Sequence, residues 1–181
     1  MDDRELPRAE DDLASDRPVT ARRLSHAISH GEGISLIVQV DGPDAARAAE
    51  AGGAGALLAT AAIEEIRAVT RLPILSYERV ADACIVSAGH DGEFASDVEI
   101  VVRVEHEEQL ADVLERLDPE LLVLAADDSD ESLEHVLALL SDVPAGKLAI
   151  VELGGVTRAE IDELERAGVD AVLLRDPLPA L

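Results

Sequence analysis

Residues 98–126 read VEIVVRVEHEEQLADVLERLDPELLVLAA, and this stretch sets the fold. The apolar run 98–104 is the clearest strand of the chain, a helix follows over 107–117, and 121–126 is a second strand. Short, largely apolar strands separated by helices belong to a parallel sheet. The crossover between parallel strands is usually a helix, and those helices cover both sheet faces. The same alternation continues outward. Upstream, strands are expected at 34–40, 54–59, 73–77 and 82–87, with helices at 43–51 and 61–70. Pro43 suits the first turn of the earlier helix, and Gly52-Gly53 ends it. Little helix is expected on either side of 82–87. Downstream come a helix at 129–140, a strand at 148–152, a helix at 157–167 closed by Gly168, and a strand at 171–174. Eight strands make a closed, shortened (β/α)8 barrel of TIM type, with its helices reduced around the fourth strand. Seven, if 82–87 fails as a strand, make an open doubly wound parallel sheet. The first connection lacks the Gly-x-Gly-x-x-Gly spacing of a dinucleotide site, and there is no P-loop.

Residues 1–18 are charged and carry Pro7 and Pro18, so they read as an acidic flexible arm. Residues 19–181 read as one barrel domain that opens with a helix at 19–31, where Ala21, Leu24 and Ile28 fall at helical spacing. The whole chain has 181 residues, short for a barrel that typically needs ~250.

Charge narrows the function. There are 39 acidic residues against 15 basic ones, for a formal net charge of -24, and Lys147 is the one lysine. Such a field repels phosphate backbones, so no nucleic-acid partner is expected. The acid excess suits a salt-rich cytoplasm, where concentrated cations screen self-repulsion. No apolar run approaches the ~20 residues that span a bilayer. The first residues lack the apolar core of a signal peptide, so a cytoplasmic protein without membrane contact is expected. A single cysteine, Cys84, sits in an apolar run and reads as a buried thiol. His26 and His30 share a helix face, but no third ligand accompanies them, so no metal and no cofactor are expected.

Several ordered segments carry a family likeness. They are 48–57 (AAEAGGAGAL), 66–75 (IRAVTRLPIL), 81–86 (ADACIV), 101–110 (VVRVEHEEQL), 152–156 (ELGGV) and 167–174 (AGVDAVLL). In order and spacing the chain from Ile34 onward resembles indole-3-glycerol phosphate synthase, a ribulose-phosphate-binding barrel of tryptophan biosynthesis. What the resemblance implies for chemistry is mostly loss. The family's acidic and lysine positions on the first strand fall on Gln39 and Asp41, and its long mobile loop shrinks to Asp41-Gly42-Pro43. The lysine of the third strand falls near Tyr77. The glutamate of the fifth strand falls on Arg103, while that of the seventh survives as Glu152. The glycine after the eighth strand is Arg175. The resemblance therefore implies a catalytically inactive relative.

Glu152, Asp41, Arg103 and Gln39 are the candidate catalytic positions, all expected at the barrel mouth. A phosphate site is the second candidate: Gly154 and Gly155 precede a helix and could present backbone N–H groups, with Arg175 as a charged donor. Arg103 and Glu152 are expected to pair across the mouth, since alternate strands share an interior layer. The acidic run 127–131 reads as a helix cap rather than a cation site. Two functions remain open. One is a non-enzymatic barrel that binds a partner, either an identical copy in a homo-oligomer or a paralogous synthase, through the side left bare around the fourth strand. The other is a lyase or isomerase acting on a phosphorylated sugar or an anthranilate-like, phosphate-bearing small molecule.

Overall fold

The computed structural model describes residues 23–92, 97–127, 129 and 131–175. The 1–18 arm and the first residues of the expected N-terminal helix lie outside them. The elements are α1 (Arg23–Ser29), β1 (Ser35–Val40), α2 (Pro43–Ala51), β2 (Ala56–Ala59), α3 (Ile63–Val69), β3 (Ile74–Ser76), β4 (Ala83–Ser87), β5 (Glu99–Val104), α4 (Glu107–Arg116), β6 (Leu121–Ala125), α5 (Ser132–Ser141), β7 (Leu148–Leu153), α6 (Arg158–Ala167) and β8 (Ala171–Leu174). All eight strands are parallel and close in sequence order, with β8 pairing back to β1. The open-sheet alternative falls away, because residues 82–87 do supply a strand, paired with β3 and β5.

Strand alternation fills the barrel. Side chains from β1, β3, β5 and β7 (Ile37, Leu75, Val101, Ile150) lie in one buried cluster with two sets from the even strands: Ala56, Ala83, Leu121, Ala171 and Leu58, Ile85, Val123, Leu173. Three layers of four from alternating strand sets is the packing expected of this barrel. With one Phe and one Tyr in the chain, aliphatic and alanine side chains do all of this filling. Leu24 and Ile28 of α1 join the same cluster, so α1 plugs the end where the strands begin. Outward-facing residues pack under the helices: Val38, Val40, Leu57 and Ile74 beneath α2 and α3, and Val102, Val104, Leu122 and Leu124 beneath α4 and α5.

The side around β4 departs from expectation. Residues 77–82 and the described part of 88–98 carry no helix. Yet the outward Cys84 and Val86 are buried, in one cluster with Leu110 and Val113 of α4. Arg116 at the end of α4 donates through Nη2 to the Ala88 carbonyl at 2.9 Å, which draws the two segments together. The bare strand face expected there as a partner surface is therefore covered.

Candidate active site at the barrel mouth

The layer that follows the apolar core is polar. Two residues beyond Ile37, Val101 and Ile150, on the same strands and hence on the same face, stand Gln39, Arg103 and Glu152, and two beyond Leu75, just past the end of β3, stands Tyr77. Two beyond Leu173 stands Arg175. The strands thus aim four charged or phenolic groups at the mouth, where barrels of this type build their sites.

Glu152 is the centre of the arrangement. Its side chain is only 4% exposed, and each carboxylate oxygen meets a different arginine. Arg103 Nε donates to Oε2 at 2.6 Å, while Arg175 Nε donates to Oε1 at 2.8 Å. A buried carboxylate needs this compensation, since an unpaired charge there would cost several kcal/mol, on the order of 3–5. Arg103 also donates through Nη1 to Glu105 just past β5. Burial pulls the Arg103 pKa down, but the hydrogen bonds and charges of Glu152 and Glu105 more than reverse this and leave it raised. The hydrogen bond and charge of Arg103 in turn hold the Glu105 carboxyl below its ordinary range, slightly opposed by burial. Burial, together with the Glu152 charge, pushes the Tyr77 phenol upward against the pull of Arg103 and Arg175. Tyr77 thus stays protonated at neutral pH and can donate a hydrogen bond into the mouth. It is also 54% exposed and, with Val80, one of two large hydrophobic side chains left open among the described residues.

The structure brings together Arg103, Glu152 and Arg175 of the sequence candidates. Gln39 is half-buried in the same layer, while Asp41 lies exposed in the turn after β1 and is not among the groups bonded to Glu152 or Arg103. Gly154 and Gly155 form the bend between β7 and α6, and a capping box sits at the α6 start. Thr157 N donates to Glu160 Oε2 at 2.6 Å, and Glu160 N to Thr157 Oγ1 at 3.3 Å. Arg175 bonds to Glu152. Lys147 sits before β7, at the far rim, bonded to Asp118 at 2.6 Å. In the 127–131 run, Glu131 is the N-cap of α5 and makes no side-chain cap; Asp128 and Asp130 lie outside the described residues. A cavity of about 150 Å³ lies beside that run, lined by Glu105, His106, Asp127, Ser129, Glu131 and His135 among others.

Sequence reasoning missed two of these groups. Tyr77 entered only as the position of a lost lysine and not as a group of the site; counting two residues past the inward Leu75 finds it. Glu105 lies past the end of β5, in the turn before α4, where no strand pattern flags it.

No family model and no curated protein matches the chain in sequence. The fold has close company among solved structures. The phosphoenolpyruvate phosphomutase of Streptomyces platensis subsp. rosaceus superposes with a TM-score of 0.59 at 14% identity, over 84% of this chain and 79% of that one. A protein assigned as a phosphonomutase from Burkholderia cenocepacia gives 0.56 at 17% identity, over 80% and 87%. At such identities the likeness establishes the barrel fold. It also corrects the family expectation, because these neighbours are phosphomutase barrels and not indole-3-glycerol phosphate synthases. The segments behind that expectation are helix-to-strand turns such as Ala167-Gly168-Val169-Asp170-Ala171. There Gly168 closes α6 at φ 92°, and Asp170 Oδ2 accepts from Ala149 N at 2.8 Å. Any closed β/α barrel can use such a turn, so the segments reported architecture and not chemistry.

Proposed function

We propose that this chain is a barrel enzyme of the lyase or isomerase kind that takes a small phosphorylated carboxylic acid at its mouth. One observation carries the reading: two guanidiniums, from β5 and from the end of β8, converge on a single point of the mouth that Glu152 fills. Guanidinium forks match carboxylate and phosphoryl oxygens alike. The solved neighbour named for phosphoenolpyruvate, a compact acid of this type, supports the substrate class. Arg103 and Arg175 would hold the anionic groups. Glu152 would orient both arginines, and the protonated Tyr77 would donate to the oxygen on which charge develops.

Phosphorus NMR of the protein incubated with phosphoenolpyruvate, with and without Mg²⁺, tests this. A new phosphorus resonance that is lost in Arg103→Met supports the proposal. Unchanged spectra would reject turnover of this substrate. A second reading, anion binding without turnover, has its own supporting observation. Every oxygen of Glu152 already has a partner, which leaves no unpaired carboxylate of the sort a general base requires.

A further inference from the structure

Arg103 is shared between two carboxylates that differ in kind. Glu152 is 4% exposed and is also held by Arg175, whereas the Glu105 side chain is 45% exposed and bonds to Arg103 at the rim. We propose that Glu105 is a built-in competitor for the anion site: it occupies the outer edge of Arg103 when the mouth is empty and swings away when an anionic ligand arrives. This rests on the reading of Arg103 as an anion-holding group.

The local geometry favours a moving side chain on a fixed backbone. The Glu105 amide donates to Gln109 Oε1 at 2.7 Å. His135 Nε2 lies 2.7 Å from the Glu105 carbonyl, and since a carbonyl can only accept, that nitrogen carries the proton. Both backbone groups are therefore pinned, by α4 and by α5. The side chain alone is left to move, and the cavity of about 150 Å³ that Glu105 lines lies beside it. There His106 and His135, whose rings sit edge to face at 6.2 Å, flank it. The cavity is well under the ~300–1,000 Å³ of pockets for drug-sized ligands. Asp127 and Glu131 also line it and repel any anion, Glu105 included, so the displaced carboxylate keeps to the solvent side where it is already 45% exposed, and a free anion is left to the arginines. The ligand's anionic groups must then both sit over the arginines, which selects a compact acid with its charges a few bonds apart.

Anion titrations read this out, because Tyr77 is the sole tyrosine, the chain has no tryptophan, and its fluorescence reports the mouth alone. Phosphoenolpyruvate and, separately, sulfate are titrated into the wild type, Glu105→Gln and Glu105→Ala, each checked for folding by circular dichroism. Removing one solvent-screened ion pair from the competing side corresponds to about a two- to fivefold change in an equilibrium constant. Both variants should bind phosphoenolpyruvate about two- to fivefold more tightly than the wild type, a gain that a merely structural residue would not give. Equal or weaker binding in both variants, or no binding in any form, overturns the proposal. Tighter binding without a new phosphorus resonance upholds it while rejecting turnover. Turnover with an unchanged Kd in both variants rejects the competitor alone.

Discussion

At the opposite end of the barrel from the site, the Glu99 carboxylate accepts a hydrogen bond from Ser25 Oγ at 2.5 Å. It also accepts from the amides of Leu24 at 2.7 Å and Ser25 at 3.2 Å. Glu99 opens β5 and is buried, so it caps α1 from inside the barrel and holds the plug residues Leu24 and Ile28 against the lowest core layer. Hydrogen bonds to a charged group contribute about 1.5–3 kcal/mol each, without simple additivity. Glu99→Ala should therefore cost about 2–4 kcal/mol in urea unfolding, and Ser25→Ala about 1 kcal/mol, since it leaves both amides paired. A Glu99→Ala protein as stable as the wild type would show that α1 is held by apolar contact alone.

The mouth should respond asymmetrically to substitution. Glu152→Ala leaves Arg103 and Arg175 facing each other without the carboxylate that reconciles them, and breaking a buried pair in this way costs about 3–5 kcal/mol. Arg103→Met leaves Glu152 still paired with Arg175 and loses a contact that is partly wet, for about 1–2 kcal/mol. Chemical denaturation of the two single variants and the double variant measures both costs and their coupling. Equal costs would mean that Arg175 does not hold Glu152 on its own.

The barrel was legible because its signals are local. Each strand is an apolar run bounded by turn residues, so 98–104 and 121–126 were found to within a residue of Glu99–Val104 and Leu121–Ala125. Alternation then gave the inward register, and with it the meeting of Arg103 and Glu152. What sequence could not give was the side-chain contact that closure creates at the mouth. The curvature that brings the end of β8 over β7 turns Arg175 onto Glu152, a contact that spacing along the chain does not encode. For the same reason no local pattern marks Glu99, whose partners lie 74 and 75 positions away in α1. The reduced helices beside β4 were read correctly, but the burial of Cys84 and Val86 there follows from packing and not from pattern.

Salt should stabilise the fold steeply. A net charge of -24 on 181 residues repels itself, and the Debye length falls from ~10 Å at 0.1 M to ~3 Å at 1 M salt. Buried pairs such as Arg103–Glu152 are screened far less than the acidic surface, so the net effect is stabilisation. For a chain of this size each kcal/mol gained raises the melting temperature by about 2–4 °C. Calorimetric melts from dilute buffer to molar KCl should climb throughout. A flat profile would mean that the acidic residues are spaced widely enough not to oppose folding.

Tyr77 provides an internal electrometer for the site. Its phenol is raised above the ordinary value, first by burial and then by the Glu152 charge, while Arg103 and Arg175 oppose the shift. Each neighbour can be removed in turn, and the signs differ. Glu152→Gln deletes a negative charge that disfavours the phenolate, so the Tyr77 pKa should fall. Arg175→Gln deletes a positive charge that favours the phenolate, so it should rise. Ultraviolet absorbance of the phenolate follows this directly, because no second tyrosine contributes. The raised pKa is also a stability statement. The native state holds the phenolic proton more tightly than the unfolded chain does, where the phenol titrates near ~10. Its contribution is thus fully present below that pH and is lost as pH rises through the higher native value. Above that window Tyr77→Phe should lose less stability than the wild type, since it has no proton to release. A Tyr77 titration that ignores both substitutions would place the ring outside the electrostatic reach of Glu152 and remove it from the site.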